Sequence, residues 1–178
     1  MRPSKQDVKK LENFAYELAA ESGQKIINAL INPGEISYKG QAKQTKIPNN
    51  PVSDSDKMIE SFIRNQLRRH YPEHSIIGEE EDATGSTTES YTWVIDPIDG
   101  TTNFINNLPI FGCSIGLMYK NSPIVGAIWL STSHKLIPGV YHGNIFGELQ
   151  FNNQEIVIAK NNKSVKRKLH TLPYAVPA

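Results

Sequence analysis

Cysteine is almost absent from the sequence, because Cys113 is the only one among 178 residues. A single cysteine excludes an internal disulfide and a zinc site built from several cysteines. Its scarcity is typical of a reducing compartment, so we predict a cytoplasmic protein. An excess of one charge is also missing, since 19 basic and 18 acidic side chains leave a net charge of +1. The sequence therefore does not favour nucleic acid or an anionic membrane as a partner.

Long apolar runs are missing as well. The longest, such as residues 124–130, are too short to cross a bilayer, and the first ten residues lack the apolar segment of a signal peptide. With 38% hydrophobic and 21% charged residues, the composition is typical of a globular domain that has its own core.

Two segments in the first half have helical periodicity. Ser4 followed by Asp7 is typical of a capping-box start, and apolar residues then recur every three or four positions until an Asn-Pro-Gly segment ends the first helix. A second helix is predicted to begin near residues 53–55 and to end before Tyr71. The polar residues between the helices, 35–52, predict a loop or a short hairpin.

Beyond the second helix, short β-branched or aromatic runs predict a series of strands. These runs are residues 75–78, 92–96, 112–119, 124–130, 135–141, 148–151 and 155–159. The order of elements predicts an α+β fold, with two helices packed on one face of an antiparallel β-sheet. Pro138 is expected at an edge or a bulge. We predict one metal- and phosphate-binding domain over residues 1–160 and a polar tail over residues 161–178.

The most informative segment ends the second of these strands and reads Ile95-Asp96-Pro97-Ile98-Asp99-Gly100-Thr101. Asp96 lies at the end of the strand and Asp99 in the turn that follows, so their carboxylates should converge. The proline fixes a backbone dihedral and Gly100 permits a left-handed or close backbone, which together leave carbonyl groups available to a cation. Oxygen ligands of this kind suit Mg²⁺, which usually shares one or two carboxylates with a substrate phosphate.

Two neighbouring features support a site at this turn. Residues 100–103 are typical of the start of a short helix, and the free N–H groups of a first helical turn bind phosphate well. Glu79 follows another predicted strand, whose end can bring this third carboxylate towards Asp96. Each feature also has an ordinary interpretation, as a tight turn or as a solvated acidic loop over residues 79–82. Their combination favours a metal and phosphate site.

These residues resemble the inositol monophosphatase family of Mg²⁺-dependent, lithium-sensitive phosphatases. Residues 93–104 fit the family signature W-x-[IV]-D-P-[IL]-D-G-T-x-N-F throughout. Asp56 and Glu60 lie in a segment similar to T-x-x-D-x-x-x-E, and residues 71–80 in one similar to Y-P-x-H-x-[FI]-I-G-E-E. The resemblance implies a phosphoric monoester hydrolase, a homodimer, and the N-terminal half of the αβαβα sandwich of that family.

The resemblance also implies a role for each site residue. Glu79, Asp96 and the backbone carbonyl of Ile98 would hold one Mg²⁺, Asp96 and Asp99 would contribute to a second, and the N–H groups of Gly100 and Thr101 would bind the phosphate. Thr101, oriented by Asp56, would position the attacking water and help to deprotonate it. Glu79 would also help to hold a third and looser ion. The residues implied to be catalytic are therefore Glu79, Thr101 and Asp56. Asp56 alone is equally typical of an ordinary helix start. A loop lysine belongs to the pattern, and Lys43 and Lys46 are both candidates.

The substrate implied by the resemblance is a small phosphorylated polyol or sugar, hydrolysed by a metal-activated water. Thr102-Asn103-Phe104 favours inositol monophosphate, because relatives acting on 3′-phosphoadenosine 5′-phosphate more often have Thr-Lys-Glu-Phe at this place. Sugar bisphosphates and 3′,5′-bisphosphate nucleotides remain alternatives, as does a non-catalytic module that binds phosphate or metal.

The sequence departs from the family pattern at one point. The second family signature, W-D-x-A-[AG]-G, supplies another aspartate to the second metal, and the sequence contains no match to it, since Trp129 is followed by Leu130. Residues 161–178 would then be the start of a missing second half, and the alternative is a natural short form with an incomplete site. We therefore expect this chain alone to bind one Mg²⁺ weakly and to have little or no phosphatase activity.

The remaining candidates for chemistry have ordinary interpretations. The five histidines have no metal-ligand spacing, so we predict surface or packing roles for them. Cys113 is predicted to be a small core residue, because no base is identifiable near it in the sequence.

Overall fold

The computed structural model describes residues 3–31, 36–38, 51–85 and 91–156. The helices are α1 (Lys5–Ala29), α2 (Asp54–His70) and α3 (Thr101–Ile105). The strands are β1 (Ile36–Tyr38), β2 (Pro51–Ser53), β3 (Ser75–Ile77), β4 (Tyr91–Asp99), β5 (Gly112–Tyr119), β6 (Ser122–Leu130), β7 (Gly139–Asn144), β8 (Gln150–Phe151) and β9 (Gln154–Glu155). None of the helices within these described ranges is long and apolar enough to cross a membrane. The candidate lysines Lys43 and Lys46 and the tail over residues 161–178 lie outside the described residues.

The first helix begins where the sequence predicts. The Ser4 hydroxyl accepts a hydrogen bond from the backbone N–H of Asp7 (3.2 Å) and donates one to the Asp7 carboxylate (2.6 Å). A cap of this kind satisfies one of the N–H groups that the first helical turn leaves free. The apolar residues that the helix buries follow at spacings of one, three, four or seven, which confirms the predicted amphipathic face: Val8, Leu11, Ala15, Leu18, Ala19, Ile26 and Ala29.

The main sheet has seven strands in the order β3-β4-β5-β6-β7-β8-β9. From β4 onward each strand pairs antiparallel with the next. The strand β3 instead runs parallel to β4, with Ile76 opposite Trp93. A parallel neighbour cannot be joined by a tight turn and needs a crossover connection, unlike the antiparallel neighbours that follow it. The predicted α+β fold is confirmed, but the sheet is mixed rather than wholly antiparallel.

The two long helices cover one face of the sheet, and the hydrophobic core lies between the helices and that face. Side chains alternate between the two faces along each strand. Trp93, Ile95 and Leu117 point to the helices and are at most 3% exposed. Val94 and Ile128, on the opposite face, are 38% and 45% exposed. The helices and the inner face therefore supply the rigid support on which the ends of β3 and β4 are placed.

The segment before β7 differs from the prediction. A strand over residues 135–141 is wrong at its start, because Ser133 and Ile137 close a turn with an N–H to carbonyl bond of 3.0 Å. The strand begins only at Gly139, so Pro138 lies just outside the ladder rather than within it. Proline has no N–H to donate to a ladder, which explains why the strand starts after it.

Buried polar groups also join α1 to β7 of the sheet. Glu12 is 1% exposed, and its Oε1 lies 2.8 Å from Nδ1 of the buried His142. Its other oxygen binds the side chains of Lys9 and Asn144. Burial alone would raise the pKa of Glu12, but the hydrogen bonds from these three partners outweigh it and hold that pKa below its usual value. His142 thus has the packing role predicted for the histidines, together with a buried polar partner.

His74 and Cys113 also follow their predictions. His74 stacks against Tyr71 and Tyr91 with ring centroids 4.9 and 4.6 Å apart, and its Nδ1 accepts a hydrogen bond from the indole of Trp93 (3.0 Å). Cys113 is buried in β5, and burial raises the pKa of its thiol. Both residues are part of the packing of the sheet.

Candidate active site

The turn predicted from the sequence is built by an irregularity at the end of β4. This strand pairs with β5 as far as Asp96, opposite Ser114, and again at Asp99, opposite Gly112, with a shift of register between the two pairs. One extra residue on β4 makes a bulge, and a bulge re-aims the side chains next to it. Pro97 lies inside it, where a missing N–H costs no ladder bond. The bulge leaves Asp96 half-buried and Asp99 exposed.

Gly100 connects the bulge to α3. Its φ is +87°, in the left-handed region, and a β-carbon at this position would lie 3.1 Å from the carbonyl oxygen of Ile110. Both facts favour glycine. The helix that follows is fixed by Phe104, which is 1% exposed and packs edge-on against Phe111 with centroids 5.5 Å apart. The predicted short helix after the turn is therefore present, and it begins two residues after Asp99.

Thr101 links this turn to the second helix. Its hydroxyl oxygen lies 3.0 Å from Oδ1 of Asp56 and 3.0 Å from the carbonyl oxygen of Ile98. Asp56 is in the first turn of α2 and is 1% exposed. The structure thus brings together two residues that are 45 positions apart in the sequence and that were paired by resemblance.

Negative charge accumulates around Asp96. Its pKa is raised from 3.8 to about 7, first by burial and then by the nearby carboxylates of Glu79, Asp99 and Asp56. Glu79 also shares a hydrogen bond with it. Within the described residues, Oδ1 of Asp96 is buried and has no hydrogen-bond partner. The other three acidic residues predicted for the site therefore all act electrostatically on Asp96, and no cationic side chain is among the causes of its shift.

This arrangement fits a magnesium ion, although it does not form a complete cage. Among the described residues, no three Asp, Glu, His or Cys side chains are placed to hold one metal together. Mg²⁺ does not require three, because it is usually bound through one or two carboxylates, with waters and substrate phosphate completing the octahedron. The unpartnered oxygen of Asp96, the adjacent Glu79 and the carbonyl of Ile98 are ligands of the type it prefers. A carbonyl that accepts from Thr101 still has a second lone pair.

Two residues beside the site were missed by the sequence analysis as functional residues. Glu60 was noted only as part of a motif, and Arg64 was not noted. Both are fully buried on α2, where Nε of Arg64 donates to Oε1 of Glu60 (2.8 Å). The carboxylate of Glu60 accepts the backbone N–H groups of Glu80 (2.7 Å) and Glu81 (3.0 Å). The available signal was the spacing of four that places Asp56, Glu60 and Arg64 on one face of the helix.

The chain matches the model of the inositol monophosphatase family over residues 7–172. It belongs to the inositol monophosphatase family. It is 30% identical over 167 residues to inositol monophosphatase 3 of Solanum lycopersicum, which covers 92% of this chain and 58% of that relative. It is 41% identical over 115 residues to the fructose-1,6-bisphosphatase/inositol-1-monophosphatase of Aquifex aeolicus (strain VF5), which covers 65% of this chain and 41% of that relative.

Solved structures of inositol monophosphatases have the same fold. The structure of inositol monophosphatase from Anabaena (Nostoc) sp. PCC 7120 aligns with a TM-score of 0.67 at 27% identity, over 87% of this chain and 52% of that chain. The structure of an IMPase/NADP phosphatase complexed with Mg²⁺ and phosphate aligns with a TM-score of 0.67 at 19% identity, over 83% of this chain and 52% of that chain, which shows the fold alone. The chain thus spans about half the length of the relatives that it matches. The predicted family and fold class are confirmed.

Proposed function

We propose that this chain carries the Mg²⁺-binding and phosphate-binding part of a phosphatase site that hydrolyses a small phosphate monoester. The observation that carries the proposal is a partly buried Asp96 among other carboxylates. Burial first and these carboxylates second raise its pKa to about 7, and one of its oxygens is buried without a partner in the described part of the chain. Buried negative charge of this kind is costly unless a cation offsets it. Membership of the inositol monophosphatase family supports phosphate ester hydrolysis as the reaction.

The proposed metal ligands are those of the predicted turn. Glu79, Asp96 and the carbonyl of Ile98 would hold one Mg²⁺, and Asp96 with Asp99 would contribute to a second. When bound, Mg²⁺ lowers the pKa of water and offsets the charge of the phosphate and of the leaving alkoxide. Because the sequence lacks W-D-x-A-[AG]-G, we propose that the second ion is held only weakly by this chain.

The remaining roles belong to groups of the protein itself. The hydroxyl of Thr101 can accept a hydrogen bond from the attacking water while it donates its own proton to Asp56, 3.0 Å away. This pair would orient the water and take up its proton. The N–H groups of Gly100 and Thr101, at the start of α3, would donate to the phosphate oxygens.

Inositol monophosphate is the substrate that we favour, on the Thr102-Asn103-Phe104 segment. A sugar bisphosphate is the second candidate, because a relative that is 41% identical over 115 residues bears the name fructose-1,6-bisphosphatase/inositol-1-monophosphatase. Both are small phosphorylated polyols or sugars, and both would use the same metal and phosphate groups. The homodimer remains a prediction.

Calorimetric titration with Mg²⁺, in the presence and absence of inorganic phosphate, tests the metal site. We expect weak binding to the wild-type chain, stronger binding with phosphate, and loss of binding in Asp96→Asn. Asp82→Asn removes an exposed acid from the neighbouring loop and serves as the matched control, so it should bind as the wild type does. Absence of Mg²⁺ binding to the wild-type chain, or normal binding to Asp96→Asn, would overturn the proposal.

Substrate preference can be tested by titrating the Mg²⁺-loaded chain with inositol 1-phosphate and with fructose 1,6-bisphosphate. We expect the first ester to bind more tightly, and the reverse order would favour the second candidate. Phosphate release measured on the same samples should be slow or undetectable. Rapid turnover would contradict the expectation that this chain alone is weakly active.

A further inference from the structure

We infer that Glu60 and Arg64 are positioning residues, which together hold residues 78–82, the Glu79 loop, against α2 so that Glu79 faces Asp96. The inference goes beyond the proposed function, because neither residue touches a metal or substrate in it. It rests on that function in one respect, since the placement of Glu79 matters for metal binding.

The hydrogen bonds between the pair and the loop are made to its backbone, and Nε of Arg64 also lies 3.5 Å from the carboxylate of Glu81. One oxygen of the Glu60 carboxylate accepts the N–H of Glu80 (2.7 Å), and the other accepts the N–H of Glu81 (3.0 Å). Nη2 of Arg64 donates to the carbonyl of Glu81 (2.8 Å). Two consecutive N–H groups and a carbonyl are thus fixed immediately after Glu79. Fixing this backbone sets the direction in which the Glu79 side chain points.

Close approach is required on the other side of Glu79 as well. A β-carbon at Gly78 would overlap the carboxylate of Glu60 and would lie 2.6 Å from Nη2 of Arg64. Only glycine allows the backbone to lie this near to the ion pair. Glu79 therefore lies between Gly78, whose backbone closely approaches the ion pair, and the backbone of Glu80 and Glu81, which the ion pair holds by hydrogen bonds.

Burial indicates that this pair has a geometric role. Glu60 and Arg64 are both 0% exposed, and removing two charges from water is costly. A buried ion pair often adds no net stability compared with apolar side chains of similar size, but it binds its partners with strict geometry. The Glu60 carboxylate accepts three hydrogen bonds here, and two of them come from the loop.

The second helix consequently supports both halves of the site. Asp56 holds Thr101, and Glu60, one helical turn later, holds the loop of Glu79. Four residues of an α-helix rise by about 6 Å. This fixed step on one rigid helix sets the separation between the residue proposed to orient water and the carboxylate proposed to bind metal.

The decisive variant is Glu60→Gln, which keeps the size of the side chain but loses its charge and one acceptor. We expect faster amide hydrogen exchange at Glu80 and Glu81, and Mg²⁺ affinity lower by about 10–100-fold, the usual cost of losing a group that orients a metal ligand. The matched control is Glu12→Gln, which removes another buried and ion-paired carboxylate on α1. It should lower stability without changing Mg²⁺ affinity.

A double variant shows whether the effect acts through Glu79. In a Glu79→Gln background, Glu60→Gln should cause no further loss of Mg²⁺ affinity, whereas an additional loss of the full size would overturn the inference. Unchanged exchange at Glu80 and Glu81, or faster exchange with unchanged Mg²⁺ affinity, would also overturn it. If the wild-type chain binds no Mg²⁺, the proposed function fails, and the exchange measurement still shows whether Glu60 holds the loop.

Arg64→Lys is the second variant, used in particular if Glu60→Gln does not fold. Lysine keeps the charge but presents a single nitrogen, so it cannot serve Glu60 and the carbonyl of Glu81 with the geometry of the guanidinium. We expect a smaller change in the same direction, in both exchange and Mg²⁺ affinity. Wild-type values for both would contradict the inference.

Discussion

Two acidic sites lie near each other in this fold, and their surroundings differ. One is the carboxylate of Glu60, and the other is centred on Asp96. Glu60 is fully buried, yet its carboxylate accepts hydrogen bonds from Arg64 and from two backbone N–H groups. Asp96 is only half-buried, yet it faces the carboxylates of Glu79 and Asp99, and its Oδ1 has no partner in the described residues. The protein thus neutralises the Glu60 carboxylate itself and leaves the carboxylates around Asp96 with too little positive charge.

This difference separates a structural carboxylate from one that awaits a ligand. A buried carboxylate with a full set of donors keeps its charge, because the donors replace the water it has lost. A carboxylate that loses water without gaining donors, and that also meets other carboxylates, holds its proton more tightly, as Asp96 does with its raised pKa. A divalent cation would supply the positive charge that the carboxylates around Asp96 lack.

The largest loss of stability is expected when the carboxylate that the protein neutralises loses its cationic partner. Arg64→Met leaves Glu60 buried without its cationic partner, which typically costs about 3–5 kcal/mol. Urea unfolding should show this loss, while Arg68→Met, an exposed arginine of the same helix, should change stability by less than about 0.5 kcal/mol. A cost at Arg64 as small as that of the control would mean that Glu60 does not depend on the pair.

A smaller loss of stability is expected from breaking the contact between α2 and the turn that follows β4. Thr101→Val keeps the shape of the side chain but removes the hydroxyl that bonds to Asp56, at a cost of about 1–3 kcal/mol because the acceptor is charged and buried. The neighbouring Thr102 is exposed, so Thr102→Val is the control and should unfold as the wild type does. Equal stabilities for the two variants would show that the Thr101 bond contributes little.

The smallest effect is a dependence of stability on pH. The pKa of Asp96 is higher in the folded chain, about 7, than its ordinary 3.8, so the folded state binds this proton more tightly. Its contribution to stability is therefore present below about pH 4 and is lost as pH rises to about 7. Solvent reaches the half-buried group, which keeps the change modest.

The comparison that isolates this effect is wild type against Asp96→Asn, unfolded in the absence of divalent metal from pH 4 to pH 8. Other titrating groups, such as His74, cancel in the difference between the two proteins. We expect wild type to lose stability relative to Asp96→Asn as pH rises. A constant difference across this range would show that the carboxylates around Asp96 do not repel one another.

Features encoded by neighbouring residues could be predicted from the sequence. The Ser4 cap, the end of the first helix, and the order of strand, turn and short helix at Asp96 to Thr101 all depend on contacts within a few positions. The family resemblance then supplied Asp56 as the partner of Thr101, which the spacing of residues alone would not have identified.

Features that depend on distant contacts were not predicted. The parallel pairing of β3 with β4 is one of them, because the acidic residues 79–82 that follow β3 are typical of an ordinary solvated loop and give no sign of the pairing. The bonds from Glu60 to that loop span about 20 positions, and Glu12 reaches His142 across 130. Sequence periodicity identifies which face of a helix is buried, but it does not identify what that face contacts.

The most direct test of the account is the response of unfolding to Mg²⁺ at pH 8. Without metal, wild type should be less stable than Asp96→Asn, because the variant removes charge repulsion. Saturating Mg²⁺ should then stabilise wild type in proportion to RT ln(1 + [Mg²⁺]/Kd) and leave Asp96→Asn unchanged. If Mg²⁺ stabilises neither protein, or both equally, then Asp96 is not the centre of a cation site.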